Sequence, residues 1–109
     1  MKFESRLNEL RILAGEYSEA QADRVYLEKF LHSKIAILMK QYMPSFPTAA
    51  AQEREALAHP EYIELLGALR TATAIAEKSK WLLKIAEAGV SLYQTEQANA
   101  RVELKNLGG

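Results

Sequence analysis

The chain has 109 residues, enough for one domain, and its 14 Lys plus Arg balance its 14 Asp plus Glu, so the formal net charge is zero. That balance argues against a strongly electrostatic nucleic-acid binder, which is basic overall. The absence of cysteine removes disulfides, thiolate metal sites and cysteine nucleophiles.

The chain opens Met1-Lys2-Phe3-Glu4-Ser5-Arg6, with charges where a signal peptide needs an apolar run. A first helix is expected over about 2–42. Leu7, Leu10, Leu13 and Ala14 share one side of its start. Gly15 then weakens it, and Ser18-Glu19-Ala20-Gln21 has the form of a capping box, which starts helices. The apolar steps carry on through Leu10, Ala14, Tyr17 and Gln21, so a continuous helix with a kink at 15–18 is favoured over a restart. Beyond it Leu27, Leu31, Ile35, Leu38 and Tyr42 form the stripe, and Tyr26, Phe30 and Ile37 broaden it. A face this wide predicts burial against more than one neighbour. The longest apolar run, Ile35 to Met39, is far shorter than a membrane span.

Met43-Pro44-Ser45-Phe46-Pro47 ends the helix, because proline disfavours helix in the residue before it. Thr48 is placed to cap a short helix over about 48–58. His59-Pro60 makes a corner into the longest element, a helix over about 60–105. Pro60 suits a first helical position, and Glu61 and Glu64 suit the positive end of the dipole. Lys105, Asn106, Gly108 and Gly109 mark its end. Gly67 and Gly89 interrupt it at a cost of about 1 kcal/mol each against alanine, too little to break so long a pattern.

Along this helix Tyr62, Leu65, Leu69, Ala72, Ala76, Leu83, Ala86, Val90, Tyr93 and Ala100 recur at steps of three and four and form one seam, with Ser79 inside it. Leu66, Ile75 and Leu82 widen it. The seam is rich in alanine, which lets a partner helix approach closely. About 45 residues at 1.5 Å each make a rod of roughly 65–70 Å, so whatever covers it must also be long. The expected architecture is all-α: one domain, 1–109, folded as a long antiparallel helical hairpin with a short connecting helix, and dimerising into a four-helix bundle. Leu69, Ala72, Ala76, Leu83, Ala86 and Val90 are the expected oligomer seam.

Chemistry is sparse. His32 and His59 are the only histidines, and neither has metal-ligand spacing to another ligand or a paired nucleophile. Glu19 and Asp23 lie one turn apart, without the Glu-x-x-His set of a di-metal site. No Gly-rich phosphate loop, GxSxG or HExxH occurs. The expectation is no enzyme, no metal and no cofactor. The most distinctive local feature is Lys78-Ser79-Lys80-Trp81-Leu82-Leu83-Lys84, where Lys78, Lys80 and Lys84 surround the only tryptophan. A basic patch beside an aromatic suits single-stranded nucleic acid; the competing and favoured reading is that Trp81 anchors an interface. Gln94, Gln97 and Arg101 form a polar docking edge further on.

The segment Ala51-Gln52-Glu53-Arg54-Glu55-Ala56-Leu57-Ala58-His59-Pro60-Glu61-Tyr62, followed by Ala76-Glu77, Trp81 and Gln94-x-x-Gln97-x-x-x-Arg101-x-Glu103, resembles small helical phage and prophage proteins encoded near replication and recombination genes. The resemblance covers most of the chain from about Ser18. The relatives often carry Trp-Arg where this chain has Tyr93-Gln94. The resemblance implies a genomic setting, and hence the cytoplasm of a bacterial host cell, but no activity. The expected function is a non-enzymatic helical interaction module, an accessory factor in phage DNA replication or recombination. Its expected partners are a second copy of itself and an unidentified phage or host protein, with no membrane. The alternatives are direct single-stranded nucleic-acid binding through the Lys/Trp patch, or inhibition of a host nuclease.

Overall fold

The computed structural model describes residues 2–108 and consists of three α-helices in the order α1 (Lys2–Tyr42), α2 (Ala49–Leu57) and α3 (Pro60–Gly108). No strand occurs among the described residues. Met1 and Gly109 lie outside them.

α1 is one helix through Gly15 and Ser18. The capping box is not used. Gln21, which would reach back to close it, instead accepts a hydrogen bond from Arg24 Nε at 3.3 Å, and Arg24 also pairs with Glu28 one turn further on. α1 stops where Pro44 cannot continue it, and the N–H groups of Ser45 and Phe46 both donate to the Tyr42 carbonyl, at 3.1 and 2.9 Å. The loop is tied down by Gln52 Nε2, which donates to the Phe46 carbonyl at 2.9 Å. Thr48 caps α2, its Oγ1 accepting from the Ala51 N–H at 3.2 Å.

α3 begins with Pro60 as its first residue, and its cap is His59. The His59 carbonyl accepts from the Ile63 N–H at 3.1 Å, and its Nδ1 accepts from the Glu61 N–H at 3.0 Å. Histidine is not among the usual capping residues, but here its ring nitrogen does what an Asn or Ser oxygen does, satisfying an orphan N–H of the first turn. At the other end α3 runs to Gly108, beyond the stop expected near Lys105. No described glycine has a positive φ, so no left-handed cap ends the helix early.

The chain divides into two compact units, one of Glu19–Ala76 and the other of Met1–Ser18 with Glu77–Gly109. Within the first, α1 and α3 run antiparallel and α2 closes the end. Leu38 and Ala56 are fully buried there, with Leu31, Ala20 and Ala76 close behind. Tyr42 meets Phe46 and His59 edge-on, at 5.8 and 6.2 Å between ring centroids, and Lys34 pairs with Glu61 at 2.6 Å. The breadth expected for the α1 face is only partly used within the chain, since Tyr26 and Ile37 remain exposed. Within the second unit the start of α1 lies antiparallel on α3. Phe3 stacks on Tyr93 at 6.2 Å, with ring planes 16° apart. The Arg6 guanidinium lies 5.1 Å from the Tyr93 centroid, where a Cβ added at Gly89 would meet its Nη1 at 3.5 Å. Val90 is buried in this unit.

Candidate interaction surfaces

The α3 seam follows a strict alternation of three and four, the spacing of a heptad. In the unit Glu19–Ala76, Tyr62, Leu65, Leu69 and Ala72 are half-buried and Ala76 is buried; in the other unit Ser79, Leu83, Ala86 and Tyr93 are half-buried and Val90 is buried. Of the six residues expected to form an oligomer seam, Ala76 and Val90 are buried within the chain and Leu69, Ala72, Leu83 and Ala86 are half-buried. The residues expected to widen the seam, Leu66, Ile75 and Leu82, stay exposed.

A second stripe lies on the other side of α3, and sequence reasoning missed it. Trp81, Ile85, Ala88 and Leu92 recur at four, three and four, so they share one face. They are offset by two residues, about 200°, from the seam residues Ser79, Leu83, Ala86 and Val90. Trp81 is 56% exposed, Ile85 66% and Leu92 60%. The signal was present as spacing. It is masked in the sequence because Trp81 reads with its flanking lysines, and Ile85, Ala88 and Leu92 fall outside the seam.

The Lys/Trp patch sits at the start of this stripe. Lys84 Nζ lies 4.9 Å from the Trp81 ring centroid and Lys80 Nζ 6.0 Å, the first well inside cation–π range and the second at its limit. Lys80 is half-buried, whereas Lys78 and Lys84 are exposed. The indole thus presents a face already attended by ammonium groups, and the surface running on from it is apolar rather than basic.

The polar edge is also brought together. Gln94, Gln97 and Arg101 line an open notch of about 550 Å³ with Phe3 and Tyr93, and Arg101 Nε donates to the Gln97 carbonyl at 3.4 Å. In the unit Glu19–Ala76, a separate open groove of about 490 Å³ is floored by Ala20, Leu27, Ala68 and Ala72 and rimmed by Tyr26 and Ile75.

Glu61 is the carboxyl held below its ordinary value, chiefly by its hydrogen bond from Lys34 and then by that ammonium's charge. His59 is committed to capping α3, and His32 is exposed on α1. Among the described residues no group of three or more His, Asp or Glu could hold a metal ion, and no helix is long and apolar enough to cross a membrane. No protein-family model, curated protein or solved structure matches this chain.

Proposed function

We propose that the protein is a non-enzymatic helical interaction module that self-associates through the outer face of α3, bringing the α1–α3 pairs of two copies together as a four-helix bundle. The observation that carries this reading is the exposed stripe of Trp81, Ile85, Ala88 and Leu92. Large apolar side chains on one helix face gain about 1.5–3 kcal/mol each when fully buried, and these are roughly half-way there. Such a stripe suits a partner helix. The further setting, an accessory role in phage DNA replication or recombination, rests on the sequence resemblance alone.

Light scattering across a concentration series tests it. The expected result is a mass of twice 12.3 kDa, accompanied by a blue shift of the single tryptophan's emission as Trp81 leaves water. Ile85→Asp with Leu92→Asp should return a folded monomer with red-shifted emission. A wild-type monomer at high micromolar concentration, with unshifted emission, would remove the self-association.

A second reading has one observation in its favour: Lys80 and Lys84 flank an exposed tryptophan. Single-stranded DNA binding through Lys78, Lys80, Trp81 and Lys84 would be salt-sensitive, because lysine–phosphate contacts release counterions. Binding lost in Trp81→Ala and Lys80→Ala would promote it over the protein interface.

A further inference from the structure

The outer stripe of α3 is arranged about its own middle. Ile85 and Ala88 lie at equal distances along the chain from a point between Ala86 and Glu87, and Trp81 and Leu92 lie at equal distances from the same point. Lys78 and Glu96 extend the series outward to within one residue. They are about five whole turns apart, so both project from one line of the helix, at one edge of the stripe. All six residues are exposed and belong to the unit of Met1–Ser18 with Glu77–Gly109. Neither Lys78 nor Glu96 takes part in an ion pair among the described residues.

The two halves of the stripe are matched without being alike. On one side of the midpoint stand a cation, an indole and a branched aliphatic chain. On the other stand an anion, a leucine and an alanine. Each half carries what the other lacks in charge and in size.

We infer that the stripe takes a second copy of itself, antiparallel, about a twofold axis through this midpoint, with Lys78 of each copy paired to Glu96 of the other. The inference rests on the reading of the stripe as a self-association face, and it fixes the direction and register of the partner. In such a pair every residue meets its counterpart from across the midpoint, and every contact occurs twice. Ile85 then lies over Ala88, which leaves room for it, and Trp81 lies beside Leu92, so large side chains face smaller ones. Like edges of the two helices meet in an antiparallel pair, and charges at the edges set partner choice and orientation. Lys78 and Glu96 share an edge, so an ion pair closes each end of the apolar stretch.

A parallel pair fits less well. Every residue would then meet its own equivalent. Trp81 would crowd Trp81, and Ala88 against Ala88 would leave a gap. Lys78 would gain a neighbour in the second copy's Glu77, but Glu96 would meet Thr95 and find no cation. The same pattern selects the occupant. A site for an unrelated chain needs complementarity to that chain only. Complementarity between the two halves of one stripe is what an isologous contact between copies needs.

Exchange of charge provides the test. Lys78→Glu sets two carboxylates together at each end of the pair, and Glu96→Lys sets two ammonium groups there. Each variant should raise the dimer dissociation constant at least about ten-fold, as two attractions become two repulsions. Both positions are exposed, so circular dichroism should find both variants as helical as the wild type. Mixed in equal amounts, the two variants should form a heterodimer about as tight as the wild-type dimer, because its pairs are again opposite in sign. Sedimentation of the mixture and of each variant alone reads this. Nitroxide labels on Ala98→Cys, off the stripe in a chain without cysteine, measure direction. They should stand about 35 Å apart along the axis in the antiparallel pair, against under about 20 Å in a parallel one. A wild-type dimer with its labels close together, single variants as tight as the wild type, or a mixture no tighter than its components would overturn the antiparallel register and leave self-association standing. A wild type that stays monomeric at high micromolar concentration would remove both.

Discussion

At the scale of single residues, the closed end of the chain depends on side chains that serve backbone ends. His59 Nδ1 accepts from the Glu61 N–H, so the ring's own proton sits on Nε2. Glu61, thus placed at the start of α3, meets Lys34 of α1 at 2.6 Å. The hydrogen bond from Lys34 and its charge hold the Glu61 carboxyl below its ordinary value. A carboxyl with a lowered folded pKa contributes stability that is present above its unfolded value and is lost as pH falls through the folded one. Thermal unfolding of the wild type and Glu61→Gln should therefore differ modestly at neutral pH, with the wild type the more stable. The gap should hold down to about pH 5 and close below the usual carboxylate range. A gap that persists unchanged at pH 3 would show that the pair does not act through ionisation. The effect is small because Glu61 is exposed, and exposed pairs contribute little.

At the scale of the element, both long helices tolerate local residues that argue against helix. Gly15 and Gly67 lie within α1 and α3 with no atom within 4 Å of where a Cβ would stand, so neither glycine serves a close approach. Gly15→Ala and Gly67→Ala should each stabilise the protein by about 0.5–1 kcal/mol, through backbone entropy and helix propensity, read as a rise in the midpoint of urea unfolding. Gly89 differs, because an added Cβ would meet Arg6 Nη1 at 3.5 Å. That is ordinary contact, but it lies where the guanidinium reaches Tyr93, so Gly89→Ala should gain less than the other two. The helical character of these elements was legible in the sequence because periodicity over forty-odd residues outweighs one glycine or one capping box. What the capping box at Ser18 lacked was a reason for the chain to leave the helix before it: no proline or turn sequence precedes it, and the apolar steps run straight through.

At the scale of the whole molecule, the sequence revealed which residues of α3 would be covered but not by what. The alanine-rich seam from Leu69 to Val90 pointed to a close partner helix, and both α1 and a second copy answered that description. The register of α1 on α3, visible where Phe3 meets Tyr93, shows that α1 lies along the seam as far as that contact. The outer stripe was obscured for a related reason. One helix with apolar residues on two opposite faces has a diluted period, and Trp81 reads with its lysines while Ile85 and Leu92 stand outside the seam. The Lys/Trp patch, by contrast, was evident from composition, and the structure adds the positions of its ammonium groups about the indole.

The antiparallel course of α1 and α3 within each unit also sets an order in time. Lys34 and Glu61 are separated by a short stretch of chain, whereas Phe3 and Tyr93 lie near opposite ends of it. Closing the second contact from an unfolded chain costs more loop entropy than closing the first, and non-local contacts slow folding. Folding should start at the turn around Leu38, Tyr42 and Ala56 and pair the helices progressively toward the termini. Leu38→Ala should then slow refolding, while Phe3→Ala should mainly speed unfolding, a split that chevron plots of the two variants would display. A nascent chain cannot pair Phe3 until Tyr93 has left the ribosome, so the first turns of α1 wait for the later half of α3.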